Sequence, residues 1–174
     1  MPNKIAASLP YFTPNKDIFL NAGLVILILN ELGKTQKGKP CLNLEKLLFF
    51  FYIIKKPLIL NGVLSYFEKP SVQLNDVEYY SVESISQDQD ALFNRKILKD
   101  IIKMLSIKNL IKVEYKKSDG FMYYLSKDGI SASKDLRAGY FLTVKKYLEG
   151  LKSIQSTPIT KLTASMESIQ FNHG

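Results

Sequence analysis

Between residues 17 and 33 the apolar positions return at helical spacing: Ile18, Leu20, Leu24, Val25, Ile28, Leu29 and Leu32. They cover so wide an arc that the helix they predict should be buried almost all round. Asn15 or Asp17 supplies a capping oxygen at its start, and Gly33 is suited to end it in a left-handed conformation. A polar linker follows at residues 35–40. Asn43 then reads as the N-cap of a second helix over residues 44–56, with Leu47, Leu48, Phe50, Phe51 and Ile54 as its apolar positions. Lys46 stands where a capping box prefers Glu. Lys55 and Lys56 fall in the last turn, the favourable end for cations, and Pro57 stops the helix.

Residues 58–90 are less regular. Leu58, Ile59 and Leu60 precede Asn61-Gly62, a turn signal. Residues 63–67 suit a short helix, Val77, Tyr79, Tyr80 and Val82 suit a strand, and residues 86–90 read as polar loop. The clearest helix spans residues 91–107. Leu92, Ile97, Leu98, Ile101, Ile102 and Leu105 form its buried stripe; Arg95, Lys99 and Lys103 recur every four residues opposite, with Lys96 beside them. The period then switches to two. Residues 110–115 alternate, residues 116–120 form a turn, and residues 121–125 return. Asp119-Gly120 marks the turn because a tight hairpin needs positive φ. Residues 126–129 open a further helical stretch. A helix over residues 139–153 carries Tyr140, Phe141, Val144, Tyr147, Leu148 and Leu151, and Pro158 breaks it. Residues 159–169 suit a last short helix.

This order predicts a mainly α chain with a small β-hairpin (α+β). The expected architecture is a winged-helix domain over residues 17–155 with an insertion at about 58–90. It carries an extended N-terminal segment, residues 1–16, and a C-terminal helical tail, residues 156–174. Residues 91–107 take the recognition-helix position and the hairpin turn is the wing. Tyr124-Leu125-Ser126-Lys127-Asp128-Gly129 resembles the strand, Leu-Ser/Thr-x-x-Gly, helix exit of winged-helix proteins. That fold serves DNA, RNA and protein binding alike, so it does not decide function.

Charge narrows the choice. The 174 residues carry a formal net charge of +8. Most of it lies between residues 91 and 117, where Arg95, Lys96, Lys99, Lys103, Lys108, Lys112, Lys116 and Lys117 face only Asp100 and Glu114. Cations on a helix and on the adjoining wing are what phosphate contact requires. The candidate site is therefore Arg95, Lys96, Lys99 and Lys103 on the helix, Lys112 on the hairpin, and Lys116 and Lys117 at the wing tip. The plainer reading is a solvated lysine face kept for solubility. Asp100 interrupts the stripe, and no Asn, Gln or second Arg stands ready to read base edges. Phosphates without sequence preference, or an acidic partner, fit this face better than a specific DNA site.

Catalytic classes lose their candidates. Cys41 is the one cysteine and His173 the one histidine, so zinc sites and His-based acid–base chemistry lack residues. Asp88, Asp90 and Asp100 are scattered, and Gly33, Gly38 and Gly62 do not form a phosphate-cradling loop. No enzyme activity, cofactor or metal is expected. The strongest apolar run, residues 22–29, is far shorter than the roughly 20 residues a membrane span needs. Pro10 and Pro14 interrupt any signal-peptide core. The expected location is cytoplasmic, with no membrane partner.

Three stretches carry a family resemblance. They are Ile18-Phe19-Leu20-Asn21-Ala22-Gly23, Leu42-Asn43-Leu44-Glu45-Lys46-Leu47-Leu48-Phe49-Phe50-Phe51-Tyr52, and Arg95-Lys96-Ile97-Leu98 with Lys108-Asn109-Leu110-Ile111-Lys112-Val113. Together they resemble the middle component of three-component bacterial defence systems built on an SMC-like ABC ATPase, Lamassu-type systems included. The match covers most of residues 17–150. Asn109 stands where such proteins often have Gly, a departure that a left-handed-tolerant Asn accommodates. The resemblance implies a non-catalytic adaptor beside an SMC-like ATPase and an effector, commonly a nuclease, coupling double-stranded DNA sensing to effector release. The alternative is a stand-alone winged-helix transcriptional regulator, for which residues 139–153 would be the dimer helix. An adaptor would expose aromatic clusters such as residues 49–52 and Tyr79-Tyr80 to unlike subunits, although a helix core explains the first equally well.

Overall fold

The computed structural model of the chain describes residues 17–76 and 95–171. Within them, seven α-helices and one hairpin follow in order. They are α1 (Ile18–Leu32), α2 (Leu44–Ile53), α3 (Pro57–Tyr66), α4 (Arg95–Ile107), β1 (Ile111–Lys116), β2 (Gly120–Leu125), α5 (Lys127–Asp135), α6 (Tyr140–Leu151) and α7 (Ile159–Phe171). The fold is mainly α with a two-stranded antiparallel sheet, an α+β chain as the periodicities predict.

A helix that is apolar on every side is stable only when surrounded. α1 accordingly packs against α2, α4, α5, α6 and β2, and every residue from Asn21 to Leu29 is buried. Asp17 caps it, its carboxylate accepting from the Phe19 and Leu20 N–H groups. Gly33 does not end it in a left-handed turn. Its φ is −66°, and its N–H continues the helical ladder to Leu29. The positive φ comes at Gly38 (73°), inside a tight loop where the Thr35 N–H meets the Lys39 carbonyl at 2.9 Å. The linker at residues 35–40 is thus a turn, closed by a bridge between Lys34 and Pro40.

Asn43 caps α2, accepting from the Lys46 N–H at 3.0 Å. α2 ends at Ile53, and Pro57 opens α3 from its first turn, where a missing N–H costs nothing. Asn61-Gly62 is no turn: α3 runs straight through it. Asn61 instead clamps a loop. It donates to the Val72 carbonyl at 2.9 Å and accepts from the Val72 N–H at 2.8 Å. At Gly62 a Cβ would lie 3.0 Å from Ile169 of α7, so the glycine lets that helix close on α3. The strand expected around Val77, Tyr79, Tyr80 and Val82, and the stripe residue Leu92, lie outside the described residues.

The hairpin pairs Ile111 with Leu125 at its base and Lys116 with Gly120 at its end. Gly120 has φ 75°, the left-handed geometry for which the turn needs a glycine. The outer edge of β2 is also partnered: Tyr123 N–H donates to the Leu42 carbonyl at 2.8 Å, beside a bridge between Asn43 and Met122. α7 packs on α2 and α3 and buries Leu162 and Met166 in the common core. No single helix among the described residues is long and apolar enough to cross a membrane. α2 and α3 carry enough apolar residues together, but the chain bends by 118° between them.

Candidate functional site

α4 divides cleanly. Leu98, Ile101, Ile102 and Leu105 are buried, while Arg95, Lys96, Lys99 and Lys103 are exposed on the other side. Its exit is stitched to the hairpin. Asn109 adopts φ 54°, with its N–H on the Ser106 carbonyl and the next N–H, of Leu110, on Leu105. This is a Schellman end with Asn in the place usually held by Gly. Ser126 then ties both ends of the hairpin. Its hydroxyl donates to the Asn109 carbonyl at 2.6 Å and accepts from the Gly129 N–H at 3.0 Å, and its own N–H reaches Leu110. A Cβ at Gly129 would sit 2.0 Å from the Leu110 carbonyl oxygen. The Leu-Ser-x-x-Gly exit is therefore a joint that sets how the hairpin projects from α4.

The seven candidate cations separate into two groups. Arg95 forms an ion pair with Glu45 of α2 at 3.0 Å, so its charge is answered within the chain. Lys116 closes β1 at the last pair before the turn. It pairs with Gly120, and its ammonium donates to the Pro40 carbonyl at 2.7 Å, anchoring the hairpin to the loop before α2. Lys96, Lys99, Lys112 and Lys117 are exposed and form no ion pair among the described residues. Lys103 makes only a long contact of 4.0 Å with Asp100, both well exposed.

Sequence reasoning missed the apolar side of the hairpin. Ile111, Val113 and Tyr115 alternate along one face of β1 and stand opposite Leu125, Tyr123 and Phe121. The inner pair is buried in the core, but Tyr115 and Phe121 are 66% and 59% exposed, with ring centroids 5.3 Å apart. The alternation was visible in the sequence; its reach beyond the core was not. A second exposed apolar group lies where α1 and α6 begin. Phe141 packs so tightly on Gly23 that a Cβ there would lie 2.8 Å from its ring. Phe19, one turn before Gly23 on the same face, is 76% exposed, as are large parts of Tyr140 and Leu142 beside Phe141. Residues 49–52, by contrast, are buried and form core, not a docking surface.

Burial pushes the Cys41 thiol above its usual pKa despite Lys46 and Lys116 nearby, and its Sγ–H donates to the Leu32 carbonyl. Among the described residues no three His, Cys, Asp or Glu side chains gather as metal ligands; His173 lies outside them. Lys46, whose burial lowers its ammonium pKa, donates to the Gln155 carbonyl at 3.0 Å and joins α2 to the turn after α6.

The family model described as ABC-three component (ABC-3C) system Middle Component 4 matches residues 32–164. Comparison with curated proteins and with solved structures gives no match.

Proposed function

The chain belongs to the Middle Component 4 family of ABC-three-component systems, and from that premise we propose that it is a non-catalytic winged-helix adaptor in a cytoplasmic defence complex. Its partners in this reading are an SMC-like ATPase of the Lamassu type and an effector, a nuclease, with duplex DNA met through phosphates. The single observation that carries the reading is that the family match spans the α2 and α4–hairpin stretches on which the sequence resemblance rests. Two structural features support it. The order α1, α2, α3, α4, β1, β2, with residues 42–43 bridged to the edge of β2, supports a winged-helix reading in which α3 belongs to the insertion at about 58–90. Cations on α4 and apolar groups at Phe19 and Leu142 give the molecule separate polar and apolar surfaces for unlike partners.

Co-expression with the ATPase and effector of its own system tests this. The expected result is a stable hetero-complex holding all three chains, with no ATPase, nuclease or hydrolase turnover from this chain alone. Recovery of a homodimer only would overturn the adaptor and favour the stand-alone regulator. Turnover by the purified chain that a single substitution abolishes would remove the non-catalytic claim.

A further inference from the structure

β2 runs along one side of β1 and is itself bordered by residues 42–43, so among the described residues the other side of β1 is an open strand edge. The hydrogen bonds around the hairpin fix which groups that edge presents. The Tyr123 N–H points away from β1, to the Leu42 carbonyl at 2.8 Å, whereas the Ser126 N–H reaches the Leu110 carbonyl at 3.0 Å. Bonded and non-bonded pairs alternate along an antiparallel ladder. Val113–Tyr123, Ile111–Leu125 and Tyr115–Phe121 are therefore the pairs that exchange no ladder bonds. The N–H and C=O groups of Ile111, Val113 and Tyr115 turn instead to the open edge, where no backbone group among the described residues meets them. Val113 and Tyr115 are 47% and 66% exposed. On the opposite face of the strand stand Lys112 and Glu114, both exposed and neither in an ion pair among the described residues.

We infer that this edge pairs with the same edge of a second copy of the chain, antiparallel about a two-fold axis at Val113. Such an axis sets Val113 against Val113 of the second copy and Tyr115 against its Ile111, each with its free N–H and C=O turned toward the other. The same operation sets Lys112 against Glu114 of the second copy and Glu114 against its Lys112. Two opposite-charge pairs then form at the positions where facing side chains stand closest. The neighbouring registers that keep the free backbone groups facing both fail on charge. One sets Lys112 against Lys112, the other Glu114 against Glu114. Charge complementarity thus selects both occupant and register. The run Ile-Lys-Val-Glu-Tyr is apolar at both ends and carries opposite charges either side of a central valine, the arrangement that a two-fold partner matches. This pairing uses neither the α4 lysines nor Phe19 and Leu142, so it goes beyond the adaptor reading and does not depend on it.

The test is sedimentation equilibrium of the whole chain, with circular dichroism to check the fold. The variants are Glu114→Lys, Lys112→Glu, the exchange of both together, and Val113→Pro. The parent should dimerise reversibly somewhere between about 1 and 200 µM. Either single reversal puts like charges at both cross-copy pairs and should weaken the dimer at least about tenfold. The double exchange restores opposite charges and should recover the parent's affinity within about threefold. Val113→Pro removes an N–H that β2 does not use, and should leave a folded monomer. If that proline disturbs the fold, the charge exchange decides alone. A parent that stays monomeric throughout this range overturns the inference. So does a dimer indifferent to the single reversals, one that the double exchange fails to recover, or one that survives Val113→Pro. If the isolated parent is monomeric and Val113→Pro releases an unlike subunit from the assembled complex, the edge belongs to that subunit and the two-fold pairing falls while the adaptor reading stands.

Discussion

α1 and α4 are both regular helices rich in isoleucine and leucine, yet they do opposite things with their surfaces. α1 buries every side from Asn21 to Leu29; α4 buries only one stripe. Even the buried polar residue in α1 has an internal task. Asn21 is 1% exposed and accepts from the Lys55 ammonium at 2.7 Å, which itself lies over the Phe51 ring. The lysines of α4 have no comparable role among the described residues, apart from the long Lys103–Asp100 contact. A charge the fold uses explains itself; the α4 lysines meet no such partner among the described residues. α1 is constrained by packing, whereas the outer face of α4 is free to be shaped by a partner.

The comparison is broken most directly at Leu27, which is fully buried at the centre of α1. Leu27→Ala should destabilise the chain by about 2–5 kcal/mol, since the surrounding helices cannot all close on the space left behind. Urea unfolding followed by circular dichroism reads it. A change below about 1 kcal/mol would mean that α1 is not held on every side.

The joint between the two regions comes next. Gly129→Ala puts a methyl 2.0 Å from the Leu110 carbonyl oxygen, so α5 or the end of α4 must move. The expected cost is about 1–3 kcal/mol. Ser126→Ala removes a buried hydroxyl that serves both the Asn109 carbonyl and the Gly129 N–H, for about 1–3 kcal/mol. Both should also disturb any binding that depends on how the hairpin projects, while Leu27→Ala should lower binding only as far as it unfolds the chain. If Gly129→Ala leaves the unfolding curve in place, the joint is softer than its contacts imply.

What could be read from the sequence divides along the same line. The Asp17 and Asn43 caps, the stripe of α4, the switch to period two and the glycine at the hairpin turn all depend on neighbours within a few residues, and all were legible. The misread positions answer to distant partners. Asn61-Gly62 has the composition of a turn, but Asn61 satisfies Val72 and Gly62 makes room for Ile169, so the helix continues. Pro57 ends one helix signal and begins another, and both readings share one residue. The candidate site shows the same limit. Spacing correctly placed Arg95, Lys96, Lys99 and Lys103 outside the core. It had no means of showing that Arg95 meets Glu45, or that Lys116 reaches back to Pro40. Exposure of Tyr115 and Phe121 likewise depends on how far the core extends under the hairpin, a property of the assembled fold.

The smallest expected effect on stability is also the sharpest use of the contrast. Lys99→Glu with Lys103→Glu changes two exposed side chains, one of them in a long ion pair with Asp100 that surface solvent screens. New like charges beside Asp100 cost a few tenths of a kcal/mol on a helix, so the unfolding free energy should move by less than about 0.5 kcal/mol. A shift as large as that of Leu27→Ala would erase the distinction between the helices. Binding should behave in the opposite way. If these ammonium groups meet phosphates, the double variant should bind all duplexes more weakly, and about equally so. The slope of log affinity against log salt should shrink by about 0.9 for each phosphate that is no longer neutralised. If the face instead docks on an acidic subunit, the same variant should release that subunit from the complex. The measurement is duplex binding by the assembled complex, parent against double variant, across a salt titration. Unchanged affinity and slope with the complex intact would retire the outer face of α4 as a nucleic-acid surface, and its lysines would then serve solubility alone.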